Sequence, residues 1–211
     1  MYVEKTNKKN KRYTCACIWY NPISCYLDRG KSEIPDYEVI QQLGNNMEIR
    51  KYPATKWVYT TMDSQKKDGN RSKSFWRLFD YISGANQNNQ KIEMTAPVLI
   101  NYTNNISKKT GKSTQLPQSM NFYVPAKFSN SPPVPTSPNV MIKEIHETTV
   151  AVARFGGYAS MDDYIKYRDN LVKALGSDSK EYDIVNMISA GYDAPFKPFF
   201  RRNEVWLKKT N

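Results

Sequence analysis

The sequence predicts an α+β protein in which a unit of β-hairpin, helix and two further strands is used twice around one sheet or barrel. Three observations carry this. Only two stretches have the helical period, and they lie on either side of the Pro-rich segment Ser131–Pro138. Each is preceded by a strand-like hairpin, with one further β-rich run before the first helix, and followed by two more strand-like runs. Each of the following pairs is marked by an Ala-Pro dipeptide, Ala96-Pro97 in the first half and Ala194-Pro195 in the second. Packing both helical stripes against one sheet or barrel is the simplest arrangement that buries them.

The elements follow in order. Residues 1–35 hold no period of 2 or 3.6, which predicts an irregular or partly disordered arm laid over a single domain of residues 36–211. Tyr37–Gln41 and Met47–Lys51 read as a hairpin around Leu43-Gly44-Asn45-Asn46, whose residues tolerate positive φ. Trp57, Tyr59 and Thr61 alternate with Val58 and Thr60 in another β-rich run. Phe75, Phe79 and Ile82 then fall at i, i+4 and i+7 on one helical face. Ser72 or Ser74 is placed to cap that helix, and Gly84 to stop it. In Lys91–Val98, Ile92, Met94 and Ala96 alternate with Glu93 and Thr95, so a strand is expected with a break at Ala96-Pro97. The polar run Asn101–Ser119 reads as a mobile loop, and Phe122–Val124 as strand.

The Pro-rich segment is an extended crossover between the halves. Beyond it, Val140–Ile145 and Thr148–Phe155 predict a hairpin around His146-Glu147. A helix follows from about Ser160 to Leu175, with Ser160 and Asp163 at capping-box spacing and Gly176 at its end. Ile184–Ile188 and Asn203–Leu207 close the pattern as strands. On this reading Ala96-Pro97 and Ala194-Pro195 are equivalent positions of the repeat.

Composition narrows the function. The 211 residues include 39% apolar side chains, enough for one well-filled core. The net charge is +11, and residues 1–36, with seven basic and four acidic side chains, supply only +3 of it. The basicity is therefore spread through the chain and favours an anionic partner of some kind, whether nucleic acid, anionic lipid or a ligand with carboxylates. Cys15, Cys17 and Cys25 all precede residue 26, which excludes a disulfide framework for the body and falls short of a four-ligand zinc site. No run approaches the length of a membrane span. A soluble, cytoplasmic protein is expected, with secretion as the alternative.

Nothing points to catalysis. The one histidine, His146, sits at a turn, and no Gly-x-Ser-x-Gly, phosphate-binding loop or dinucleotide fingerprint occurs. Asp162-Asp163 stands in the first turn of a helix, where carboxylates favour the helix dipole. Arg201-Arg202 and Lys208-Lys209 are basic, but no nucleic-acid-binding signature accompanies them, so no nucleic acid is expected as a partner.

Several segments together resemble the SOUL family of haem-binding proteins. They are Phe75–Ile82, Lys91–Val98, Phe155-Gly156-Gly157-Tyr158, Gly191–Pro195 and Arg201–Leu207, with Tyr37–Ile40, Glu48–Pro53 and Lys56-Trp57-Val58 as the opening. The resemblance runs from about Tyr37 to Lys209. It implies a distorted antiparallel barrel, or two four-stranded sheets, with two helices outside, similar to bacterial effector-binding domains, and a monomer. It also implies non-catalytic, reversible binding of haem or another tetrapyrrole in an apolar cleft beside the first helix. The pocket face implied on that helix falls on Phe75 and Phe79, and a basic contact falls on Lys197. Further basic positions of the family correspond to Ser72 and Asp80 here, with Arg71, Lys73 and Arg77 close enough to substitute. Some members carry a histidine where this chain has Lys51, so no axial ligand is expected. The alternative role the resemblance implies is a protein-interaction module of the same fold without a bound cofactor, meeting a cell-death or mitochondrial partner through the second helix, Asp162–Leu175, with Leu171 and Leu175 as its contacts.

Overall fold

The structure is a computed structural model that describes residues 32–44, 46–66, 69–106 and 113–210. The Cys-bearing arm predicted for residues 1–35 lies outside the described residues up to position 31. Among the described residues there are nine strands: β1 Glu38–Gly44, β2 Met47–Tyr52, β3 Thr55–Thr61, β4 Val98–Ile106, β5 Ser113–Tyr123, β6 Met141–Ile145, β7 Thr148–Phe155, β8 Met187–Gly191 and β9 Asn203–Lys208. Two helices join them, α1 Arg71–Ile82 between β3 and β4 and α2 Met161–Leu175 between β7 and β8. All described strand pairs are antiparallel, and they form one sheet in the order β1-β2-β7-β9-β8-β4-β5-β3-β6. The expected pair of four-stranded sheets is thus a single nine-stranded sheet, continuous through the pairing of β4 with β8.

That order is symmetric about the β4–β8 seam. If β2, β3, β4 and β5 are matched with β6, β7, β8 and β9, every pairing in one half has its mate in the other. The duplicated unit is therefore ββαββ, with β1 as an addition at one end. The repeat is present, but two of its predicted details are different. β6 and β7 do not form a hairpin: β6 pairs with β3, and β7 with β2 and β9. A short connection normally implies antiparallel neighbours; here the connections at Pro53-Ala54 and His146-Glu147 instead carry the chain from one half of the sheet to the other. The Ala-Pro pairs are not equivalents either, because Ala96-Pro97 precedes β4 whereas Ala194-Pro195 follows β8.

Two runs depart from their sequence reading. Lys91–Pro97 keeps the predicted alternation, with Ile92, Met94 and Ala96 buried, but it joins no ladder. Its backbone bonds go to Ile82 and Glu33, Ile92 N donating to Ile82 O at 2.8 Å and Ala96 N to Glu33 O at 2.9 Å. The Ala96-Pro97 peptide is cis. Conversely, the polar run expected to be a loop is the long β4–β5 hairpin. Two buried amides on this hairpin are partnered through nitrogen only: Asn121 Nδ2 donates to Leu99 O at 3.3 Å and Gln115 Nε2 to Val185 O at 3.1 Å, while Asn121 Oδ1 and Gln115 Oε1 have no partner among the described residues. Pro117, which lacks a donor, is accommodated beside the register shift at Asn101/Tyr102.

The sheet curves so that its two faces carry separate apolar clusters. On the outer face, Ile49, Val58, Ile100, Tyr102, Met120, Phe122, Ala151, Phe155, Val205 and Leu207 pack with the helices. On the inner face, Tyr52, Trp57, Leu99, Val150, Val152, Ala190 and Trp206 pack on one another. α2 begins with the predicted capping box. Ser160 Oγ accepts from Asp163 N at 3.2 Å and Asp163 Oδ2 accepts from Ser160 N at 2.9 Å, which holds the Asp163 carboxyl below its ordinary range. Ser160→Ala removes this cap, and urea unfolding should show a loss of about 0.5–2 kcal/mol.

The inner face also holds a carboxylate, Glu204, that is fully buried. Its two oxygens receive six hydrogen bonds: from Arg50 Nη1 and Nη2 at 3.0 and 3.1 Å, Arg202 Nε and Nη2 at 2.9 and 2.7 Å, Tyr192 Oη at 2.7 Å and Trp206 Nε1 at 2.8 Å. Arg50 is itself buried, lies over the Tyr37 ring and donates to Glu48 at 2.6 Å. Burial alone would push the Glu204 carboxyl up. The donors and charges of Arg50 and Arg202, with Trp206, outweigh it and leave the carboxyl below its usual range.

Candidate functional site

α1 is positioned by its buried arc, Ser74, Leu78, Phe79, Tyr81 and Ile82. Neither predicted serine caps it; the N-cap is Asn70, at φ 54° and without a side-chain cap bond, while Ser74 is buried one turn further on. The C-terminal end is tied to the Pro-rich crossover, Tyr81 Oη donating to Pro133 O at 2.8 Å. α1 packs on β3 and β5, and α2 on β7 and β9. The β4–β8 seam therefore forms the floor between the two helices.

That floor is shallow at one end for a chemical reason. Ser189 faces Ile100 and Gly191 faces Val98 across the seam. Inner-face Ala190 sets the alternation, so Gly191 points outward. A Cβ placed on Gly191 would meet nothing within 4 Å, so the backbone here borders open space. On the α1 side stands Phe75, half-buried, 5.4 Å from Phe122 and 5.9 Å from Phe79 between ring centroids. Arg71 Nη2 donates to Tyr102 Oη at 2.7 Å. On the α2 side stands Tyr164, edge-on to Phe155 at 5.2 Å. Burial pushes the Tyr164 phenol up to about 12, and the positive charges of Arg71 and Arg201 act against that rise. Tyr164 is thus within the electrostatic influence of both guanidiniums.

The predicted site residues divide into three groups. Phe75 stands against Phe122 on β5, and Arg71 bonds to Tyr102 on β4. Phe79 is buried in the outer-face core. Lys73 and Arg77 are on the other flank, because two residues along a helix turn the side chain by about 200° and Arg77 thus faces away from Phe75. Arg77 Nη1 donates to Thr60 Oγ1 at 3.4 Å on β3. With Asp63, Asn70, Ser74 and Asn139 these two cations line a polar cavity of about 310 Å³. Lys197 belongs to the loop after β8, where its ammonium pairs with Asp193. Leu171 and Leu175, the contacts expected of a partner-binding second helix, are core residues.

Sequence reading missed Gly191 and Tyr164 as candidate site residues. Gly191 carried a readable signal, a glycine ending an apolar run next to Ala and Ser, which marks a place where another group approaches the backbone. Among the described residues no cluster of three or more His, Cys, Asp and Glu side chains could hold a metal ion. His146 is exposed and adjoins Glu147, whose carboxylate pairs with Lys51 at 2.7 Å. The one histidine thus lies on the β6–β7 connection, and the position at which the resemblance calls for one, Lys51 in β2, pairs with the residue beside it. No helix among the described residues is long and apolar enough to cross a membrane.

A duplicated ββαββ sheet with two outer helices defines the class of domain. The family model described as "SOUL heme-binding protein" matches residues 32–208, and the chain belongs to that family. It is 32% identical to "Heme-binding protein 2" of Homo sapiens over 182 residues, 85% of this chain and 87% of that protein. It is also 32% identical to "Heme-binding protein 1" of Xenopus laevis over 169 residues, 80% of this chain and 86% of that one. Among solved structures, EcmrR in its complex with DNA matches with a TM-score of 0.50 at 11% identity over 78% of this chain and 57% of that one. The last likeness concerns the fold alone.

Proposed function

We propose that the chain binds haem or another tetrapyrrole, reversibly and without catalysing a reaction, in the groove between α1 and α2 over the β4–β8 seam. The observation that carries this reading is the open space over Gly191, beside Phe75 and within reach of two guanidiniums near Tyr164. A flat apolar ring needs a floor without side chains and an aromatic wall, and its carboxylates need cations at the rim. Gly191, Phe75, Arg71 and Arg201 fit those requirements. Lys197 would join the rim by exchanging Asp193 for a propionate, whereas Lys73 and Arg77 would serve only a ligand that also spans α1. When bound, haem would supply its macrocycle face and iron; the protein would hold the ring, orient its propionates and exclude water from one side.

The energetics favour exchange over permanent retention. Covering about 400 Å² of ring at about 25 cal/mol/Å² gives roughly 10 kcal/mol, against association costs of about 4–15 kcal/mol. The test is titration with haemin, followed in the Soret band, for the wild type and Gly191→Trp. Gly191 has ordinary backbone angles, and the indole would occupy the groove without straining the chain. Saturable binding at micromolar protein is expected for the wild type and at least a tenfold weaker response for the variant. Equal titrations would remove the groove as the site, and no titration by either protein would remove the function.

A further inference from the structure

The loop between β8 and β9 exposes three phenylalanines in five residues: Phe196 is 48% exposed, Phe199 72% and Phe200 96%. Tyr158, also 64% exposed, lies beside them under the Arg201 guanidinium at 4.6 Å. Exposed aromatics this close together form a patch that soluble surfaces normally avoid.

The loop is braced in a way that keeps the rings out. Arg201 Nη1 donates to the carbonyl oxygens of Ala194, Pro195 and Lys197, the last at 2.9 Å. Lys197 N donates to Ala194 O at 3.1 Å. Asp193 takes the Lys197 ammonium with one oxygen and the Arg202 backbone N–H with the other. Pro195 and Pro198 fix two further φ angles. Phe200 itself sits at φ 52°, a region that bulky side chains rarely adopt. A relaxed loop would fold its rings inward; this frame presents them.

The charge around the patch is positive. Among the described residues no carboxylate pairs with Arg201 or Arg71, which both act on Tyr164, and the whole chain carries +11. Aromatic rings at the tip with guanidiniums behind them match one surface chemistry, an apolar layer beneath anionic headgroups. We infer that the Phe196–Phe200 loop docks the protein on anionic phospholipid bilayers, its rings entering the headgroup boundary and the excess of basic side chains on the chain favouring the lipid phosphates and carboxylates.

The test is flotation of the full chain with vesicles of phosphatidylcholine alone and of phosphatidylcholine mixed with phosphatidylserine. The wild type should float with the mixed vesicles, more weakly at about 1 M salt, where the Debye length is about 3 Å. Phe199→Ser/Phe200→Ser should reduce flotation about tenfold or more while leaving the urea midpoint unchanged, since both rings are exposed. Failure of the wild type to float, or flotation of the double variant at the wild-type level, overturns the proposal. Sedimentation without vesicles that the double variant abolishes also overturns it, by making the patch a self-association surface. Haemin titration of the double variant without lipid separates this inference from the groove: an unchanged Soret response is expected, and lost haemin binding with retained flotation would assign the rings to the ligand site instead.

Discussion

Arg50→Met should lower the unfolding free energy by about 3–5 kcal/mol at neutral pH, read as a fall in the urea midpoint. The substitution leaves the buried Glu204 carboxylate with Arg202, Tyr192 and Trp206 but removes the bidentate partner that contributes most against its burial. A buried charge deprived of one partner keeps its desolvation cost and loses the compensating attraction. The Arg50 guanidinium is held well above its ordinary range because the Glu204 bonds and charge outweigh burial, so it cannot escape the cost by losing its proton.

The same pair fixes a pH dependence. Because the folded carboxyl is depressed, its contribution is complete above the ordinary glutamate value of about 4.3 and is lost as pH falls through the lower folded value. Wild-type stability should therefore drop in acid. In Arg50→Met the carboxyl moves upward, so the gap between the two proteins should narrow as pH falls. A gap that stays constant from neutral to acid pH would show that Glu204 is not the group involved.

The second large effect separates the two phenylalanines of α1. Phe79→Ala should cost about 3–5 kcal/mol of stability, since it empties a core position that is 6% exposed. Phe75→Ser should cost less, because that ring is only half-buried, and should instead weaken haemin binding about tenfold, because it removes the aromatic wall of the groove. The measurement pairs urea unfolding with Soret titration on both variants. A Phe79→Ala protein of unchanged stability, or a Phe75→Ser protein that binds haemin like the wild type, would break the assignment.

The sequence patterns made the repeat and the two helices readable, because amphipathic spacing and caps such as Ser160/Asp163 act over a few residues. They misplaced what depends on distant partners. The His146-Glu147 connection looks like a hairpin turn locally, yet β6 pairs with β3, 82 to 90 positions away, and β7 with β2, 96 to 106 positions away. Asn101–Ser119 reads as a loop because its polar groups have no visible partners in sequence; the β4–β5 ladder, the pairing with β8 and the Val185 carbonyl beside Gln115 arise only in space. The same limit governs the site. The i, i+4 spacing of Phe75 and Phe79 identifies a helical face, but only the packed sheet decides which ring enters the core. Glu204 was invisible as a buried group, since Arg50, Arg202 and Tyr192 meet it from three separate stretches of chain.

The extra strand β1 bears on how copies of the chain meet. A strictly doubled sheet would end in two alike edges, and alike open edges can template pairing from one molecule to the next without limit. β1 lies against β2 at one end only, with irregular register at Val39/Gln41 and Gln42/Gly44, while β6 ends the other side with Lys143 and Glu144. The two ends are thereby made unlike, one distorted and the other charged. The body of the sheet is symmetric, and a single added strand withholds that symmetry from the edges where it would favour fibres.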